Sequence, residues 1–195
     1  DARCETVTMK VLITGSSGYV ARVLCRHLTE QGIPVAGVDL DYDGYMYGNP
    51  LFSFYRGSVT DRSFMAGVFR GENPSHVIHL AYLMNPLHDR RQEYAVDVTG
   101  SMVTLACAHN TPSVKQFILM SSASAYGAWP DNPLWITEET PLLPGDYRYG
   151  KYKKRVEECY ERFQSRDDLH VVTLRMCTAV GPSYHKKGGV VSLLA

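Results

Sequence analysis

Short runs of consecutive apolar residues alternate along this chain with stretches in which apolar residues recur every three or four positions. Val11–Thr14, Pro34–Asp39, Phe52–Tyr55, His76–Leu80, Phe117–Met120 and His170–Leu174 are of the first kind and predict buried strands. Tyr19–Gln31 spaces Val20, Val23, Leu24 and Leu28 along one face and stops before Gly32, which predicts a helix. Further helices are expected from an Asp61 cap through Phe69, over Arg90–His109 and over Tyr149–Gln164. Strands this apolar are buried on both faces, which implies a parallel sheet covered by helices. Right-handed crossovers then give a doubly wound α/β fold. Ala128–Gly145 is the one long irregular stretch, and loops of that length inside a domain usually carry function.

Composition narrows the classes. The length of 195 residues suggests one domain or a domain plus a fragment. Apolar residues at 45% and charged residues at 21% describe an ordinary globular chain. Twenty basic residues balance twenty acidic ones, which removes the electrostatic basis for binding nucleic acid or an anionic membrane surface. No apolar run approaches the ~18 residues of a membrane span, and Asp1–Glu5 lacks a signal-peptide layout. Five cysteines without a C-x-x-C pair argue against a disulfide framework or a metal site and fit reduced thiols in the cytoplasm. Cys25 and Cys107 lie in apolar helical patterns and are expected to be small buried groups. Met9-Lys10-Val11 reads as a natural start, so residues 1–8 are expected to be a disordered extension.

Two constellations carry chemistry. Gly15-Ser16-Ser17-Gly18-Tyr19-Val20-Ala21 joins the first strand to the first helix, where a missing Cβ lets the backbone approach a pyrophosphate at a helix N-terminus. Asp39 ends the second strand, where an acid can bind the adenosine ribose and repel a 2′-phosphate, favouring NAD over NADP. The competing explanations are a turn that is Gly-rich for steric reasons and an acid that only begins a loop. The second constellation is Ser122 after the fifth strand with Tyr149 and Lys153 one helical turn apart. An ammonium beside a phenol lowers its pKa from about 10, and a serine hydroxyl can bond the same substrate oxygen, giving a proton-transfer device for an alcohol and its carbonyl. Tyr147 and Lys151 satisfy the same spacing; Tyr149-Gly150 and the following Val156-Glu157 favour Tyr149 and Lys153.

With Leu12-Ile13-Thr14-Gly15, Val38-Asp39, Gly57-Ser58-Val59-Thr60-Asp61, His79-Leu80-Ala81, Ser121-Ser122, Tyr126-Gly127, Thr137–Leu142, Tyr149-Gly150-x-x-Lys153 and Leu174-Arg175 running to Gly181-Pro182 in order, residues 9–182 resemble the extended short-chain dehydrogenase/reductases. The resemblance is to their NAD-dependent epimerase/dehydratase group, of the UDP-glucose 4-epimerase kind. It implies a Rossmann fold and NAD as cofactor. It implies Tyr149 as general acid/base, Lys153 as its partner and a ribose ligand, and Ser122 as donor to the substrate oxygen. Gly15, Gly18, Tyr19, Val20 and Ala21 would follow the pyrophosphate, Asp39 and Leu40 the ribose, Ser58 and Val59 the adenine, and Leu80 and Ala81 the cofactor channel. His79 is expected to be structural. Ser124 and Thr178 would face substrate.

The chain departs from the family pattern in places. Ser58 stands for an Asp, Asp97 for the Asn of a helix motif, and Thr178 for an Asn near substrate. Ala123 and Ser124 replace the acid pair of the sugar 4,6-dehydratases, which disfavours that elimination. His185-Lys186-Lys187 resembles the start of a phosphate-contacting segment, with a solvated charge cluster as the alternative. The resemblance implies a nucleotide-sugar epimerase, possible homodimers and a cytoplasmic location. Competing readings are an NAD(P)-dependent dehydrogenase or reductase of a small carbonyl or alcohol, and a non-catalytic dinucleotide-binding module. Tightly held NAD would support the epimerase, exchangeable NAD(P) the dehydrogenase. Residues 183–195 look like the start of a substrate-binding part that is largely missing, so the chain is expected to bind NAD and turn over little.

Overall fold

A computed structural model describes residues 9–83, 89–162 and 168–179. The expectations for residues 1–8, for Gly181-Pro182, for His185-Lys186-Lys187 and for the apolar end all fall outside those residues. Six strands form one sheet: β1 Val11–Thr14, β2 Val35–Asp39, β3 Phe52–Arg56, β4 His76–His79, β5 Gln116–Ser122 and β6 His170–Met176. Their spatial order is β3-β2-β1-β4-β5-β6, and every pairing is parallel. This is the doubly wound Rossmann arrangement the apolar runs predict.

The side-chain alternation of β1 divides the core. Leu12 points into a cluster with Val77, Phe117, Leu119, Val156 and Tyr160, while Val11 and Ile13 point into a second with Ala21, Cys25 and Val35. Cys25 is fully buried, as its apolar pattern implies, and Cys107 is half-buried. On the second face, Ile78, Ile118 and Met120 remain half-buried, so β4 and β5 are less two-sided than their sequences suggest, whereas β2 is buried on both faces.

The helices follow from local chemistry. Helix α1, Tyr19–Glu30, starts at Gly18 without a side-chain cap. Helix α2 runs Arg62–Glu72, and the Asp61 carboxylate accepts the amides of Ser63 and Phe64 at 2.9 and 3.0 Å. It continues three residues past Phe69, because the amphipathic face extends to Glu72. The stretch read as one helix is instead divided: α3 Arg90–Tyr94, a π-helical turn Ala95–Gly100, and α4 Ser101–His109. A buried Asp97, whose Oδ1 accepts the Leu83 amide at 2.9 Å, sits in that wider turn. Helix α5 spans Arg148–Arg162. No helix among the described residues is long and apolar enough to cross a membrane.

Phe117 is the centre of the larger cluster, fully buried with its ring edge-on to Tyr160 at 5.3 Å. Phe117→Ala should cost about 3–5 kcal/mol in urea-unfolding free energy; a loss near zero would contradict this packing.

Candidate active site

Parallel strands put all their C-terminal ends on one edge, and the candidate residues collect there. The turn after β1 is held by the Gly15 and Ser16 amides, which donate to the Val38 carbonyl at 2.8 and 3.2 Å. Gly15 has φ +70°, and a Cβ on it would lie 2.7 Å from the Ala81 amide nitrogen. Only glycine fits between this turn and the β4 exit. The first amides of α1 have no intrahelical partner and no side chain caps them, so they face outward with the positive end of the helix dipole. Tyr19 and Val20 lie in this first turn half-exposed, and Ala21 is buried.

Asp39 sits beside the turn. Its Oδ2 accepts the Ser17 amide at 2.9 Å and its Oδ1 the Leu40 amide at 2.7 Å. A carboxylate has about four lone-pair sites, so acceptor capacity remains. The Leu40 side chain is 59% exposed, while its backbone amide is held by Asp39. Ser58 follows β3 and pairs with Thr60 Oγ1 at 2.8 Å; the Val59 side chain is in the core. Arg22, unremarked in the sequence, braces the region. Its guanidinium donates to the Ser17 carbonyl at 2.8 Å and to Asp43 at 2.7 Å, and stacks over Tyr45.

The second group meets across β5 and α5. Ser122 ends β5, and its Oγ accepts the Ser124 amide at 3.1 Å, opening the single turn Ala123–Tyr126. Gly150 packs on that turn, where a Cβ would stand 2.5 Å from the Ser124 carbonyl oxygen. This close approach explains the Tyr-Gly pair and brings Tyr149 within hydrogen-bonding reach of Ser122. The Ser124 Oγ is buried without a partner. Lys153 is 2% exposed, its Nζ 5.3 Å from the Tyr149 ring centroid and donating to the Met120 carbonyl. Tyr147, of the alternative pair, is largely exposed, and Lys151 bonds Asp146 at 3.0 Å on the surface. Thr178 is exposed, two residues past Met176, the register neighbour of Ser122.

The electrostatics differ from the expectation. Burial, the Asp97 carboxylate and Tyr147 push the Tyr149 phenol up to about 12. Burial pulls the Lys153 ammonium down to about 7, against the raising influence of Asp97 and Glu157. At Tyr149, burial and the nearby carboxylate outweigh any lowering by the lysine. Burial lifts Asp97 itself to about 6.

Two networks brace the site; the first escaped the sequence reading, and the second gives His79 its expected hydrogen bonds. In one, Ser121 Oγ donates to the buried Glu157, which pairs with Arg175 at 2.8–2.9 Å. Arg175 donates to Tyr126 OH at 2.7 Å and to the Glu138 carbonyl at 3.0 Å, tying the long loop to the sheet. Trp129 Nε1 closes that loop on the Leu143 carbonyl at 2.6 Å. The landmarks Tyr126, Glu157 and Arg175 were visible, but nothing in their spacing told that they meet. In the other, His79 Nδ1 meets Thr14 Oγ1 at 2.7 Å and Nε2 meets Ser101 Oγ at 2.8 Å. His79 is fully buried and structural, as its strand position implied.

A parallel sheet with a glycine turn at the switch point defines a dinucleotide-binding α/β protein. Residues 11–195 match the NAD dependent epimerase/dehydratase family, and the chain belongs to it. It is 30% identical over 193 residues to the UDP-glucose 4-epimerase of Erwinia amylovora, covering 92% of this chain and 56% of the relative. The structure resembles the Bordetella bronchiseptica enzyme WbmG in complex with NAD (TM-score 0.79, 25% identity, 92% of this chain and 56% of that one). It also resembles the Thermotoga maritima UDP-glucose 4-epimerase with UDP-glucose (TM-score 0.81, 27% identity, 95% and 61%). The chain spans about half the length of the curated relatives it matches.

Burial also holds the His79 imidazole down at about 3, below its unfolded value of about 6.5. The unfolded chain therefore binds the extra proton first, and the contribution of His79 is full above pH ~6.5 and lost as pH falls towards 3. Asp97 acts oppositely between its unfolded ~3.9 and about 6, so the comparison needs a His79→Gln variant. The wild-type stability relative to that variant should fall by up to about 1.4 kcal/mol per pH unit below pH 6.5 in urea titrations; a pH-independent difference would contradict a neutral buried His79.

Proposed function

We propose that the chain carries the cofactor-binding and proton-transfer half of an NAD-dependent epimerase of nucleotide-sugars. The observation that carries this reading is the convergence of Ser122, Tyr149 and Lys153 on the strand edge that also bears the Gly15–Gly18 turn and Asp39. The likeness to proteins named UDP-glucose 4-epimerase supports a UDP-sugar as the substrate class.

NAD fits the residues present. The Gly15 cradle, which a Cβ would fill, and the uncapped α1 amides suit a pyrophosphate. The spare lone pairs of Asp39 suit ribose hydroxyls and repel a 2′-phosphate. When bound, NAD would supply the hydride acceptor and, in its oxidised form, a positive charge. Lys153, with donors beyond the one given to Met120, would hold the ribose. Tyr149 gives its proton to a substrate carbonyl and, where positive charge lowers its pKa, takes the proton of a substrate hydroxyl. Ser122 and the unpartnered Ser124 Oγ bond the reacting oxygen. Ala123 and Ser124 supply no carboxylate for elimination, which supports epimerisation over 4,6-dehydration.

Calorimetry should find NAD bound in preference to NADP. Asp39→Ala should cost about tenfold in NAD affinity and narrow the preference. Tyr149→Phe should keep NAD affinity yet abolish turnover of UDP-glucose in a protein of the relatives' length carrying these residues, while Tyr147→Phe keeps both. An absence of NAD binding, or an active Tyr149→Phe enzyme, would contradict the proposal.

A further inference from the structure

Tyr82 stands one residue past the His79-Leu80-Ala81 landmark and is half-buried. The Lys153 ammonium nitrogen lies 3.0 Å above the centroid of its ring. The same ring meets Tyr149 edge-on at 6.4 Å and His79 at 5.7 Å. The Tyr82 hydroxyl is hydrogen-bonded to Ser101 Oγ at 3.2 Å, and that oxygen meets His79 Nε2 at 2.8 Å. The ring is therefore fixed by a buried network reaching from β1 through Thr14 and His79 to α4.

Lys153 needs such a seat. It is 2% exposed, and its hydrogen bond to protein is to the Met120 carbonyl. The groups that act on it are Asp97 from the π-helical turn, Glu157 one turn along its own helix, and His79 from β4. His79 is neutral, and neither carboxylate pairs with Lys153 within salt-bridge distance among the described residues. An aromatic face attracts a desolvated cation more strongly than an exposed one, and it fixes the direction of approach.

We propose that Tyr82 is a positioning residue for the reaction: its π face is the seat that holds the Lys153 ammonium charged and aimed beside Tyr149. The proposal rests on the reading of Lys153 as the partner of Tyr149. The hydroxyl is secondary in this account; the ring is what matters. Tyr82→Phe therefore preserves the seat, whereas Tyr82→Leu removes it.

The test is the Lys153 titration, followed by NMR on protein labelled at lysine Cε and Nζ and assigned with Lys153→Met. Tyr82→Leu should make the ammonium about tenfold more acidic, a shift of about one pKa unit, and Tyr82→Phe should leave it close to wild type. Pentafluorophenylalanine placed at position 82 inverts the ring's quadrupole at nearly constant shape, and it should shift Lys153 in the same direction as leucine. This readout stands even where the leucine variant does not fold. An unchanged titration with the fluorinated ring would overturn the proposal. NAD affinity of Lys153→Met is read separately: if it equals wild type, the cofactor role of Lys153 fails while the titration still decides the seat.

Discussion

Parallel pairing on both sides of β1 is the constraint on which the rest depends. Because β2 and β4 both run alongside it in the same direction, the chain must cross over one way after β1 and the other way after β3. The crevice opens where those crossovers part. Gly15 then has to pass against Ala81, which brings the phosphate-type turn and the β4 exit into contact. Ser122 reaches the same edge through β5, and α5 returns over it so that Tyr149 and Lys153 face it. None of these side chains chooses its place independently of the strand directions.

Burial sets the chemistry on that edge. Lys153, Asp97 and His79 are nearly or fully enclosed, and each has its charged form disfavoured. The result is a site in which the phenol holds its proton until a cation comes near. The aromatic face beside Lys153 supports the ammonium without adding a further anion to Asp97, which already holds the phenol's proton more tightly.

The element order was legible because apolar runs and helical spacing report burial directly, and the glycine turn and Asp39 announce themselves by position. The π-helical turn at Ala95–Gly100 was not legible: it coincides with a buried Asp97 that accepts the Leu83 amide, a contact that spacing does not encode. Neither was Tyr82, since an aromatic after a strand reads as core. Adjacency to Lys153 led to the expectation of a lowered Tyr149 pKa; the phenol is raised instead, because desolvation outweighs the pair interaction once both groups are enclosed. Glu157 and Arg175 stood within the motifs, but their meeting depends on the long loop folding back to the sheet.

One strand edge bears both the glycine turn and the Tyr149–Lys153 pair, and the two are proposed to form a single cofactor cleft. Amide chemical-shift mapping during titration with NAD should then show concerted changes at Ser16–Ala21, Asp39-Leu40, Ala81-Tyr82, Ser122 and Lys153. Changes confined to the turn, with Ser122 and Lys153 unmoved at saturation, would contradict it.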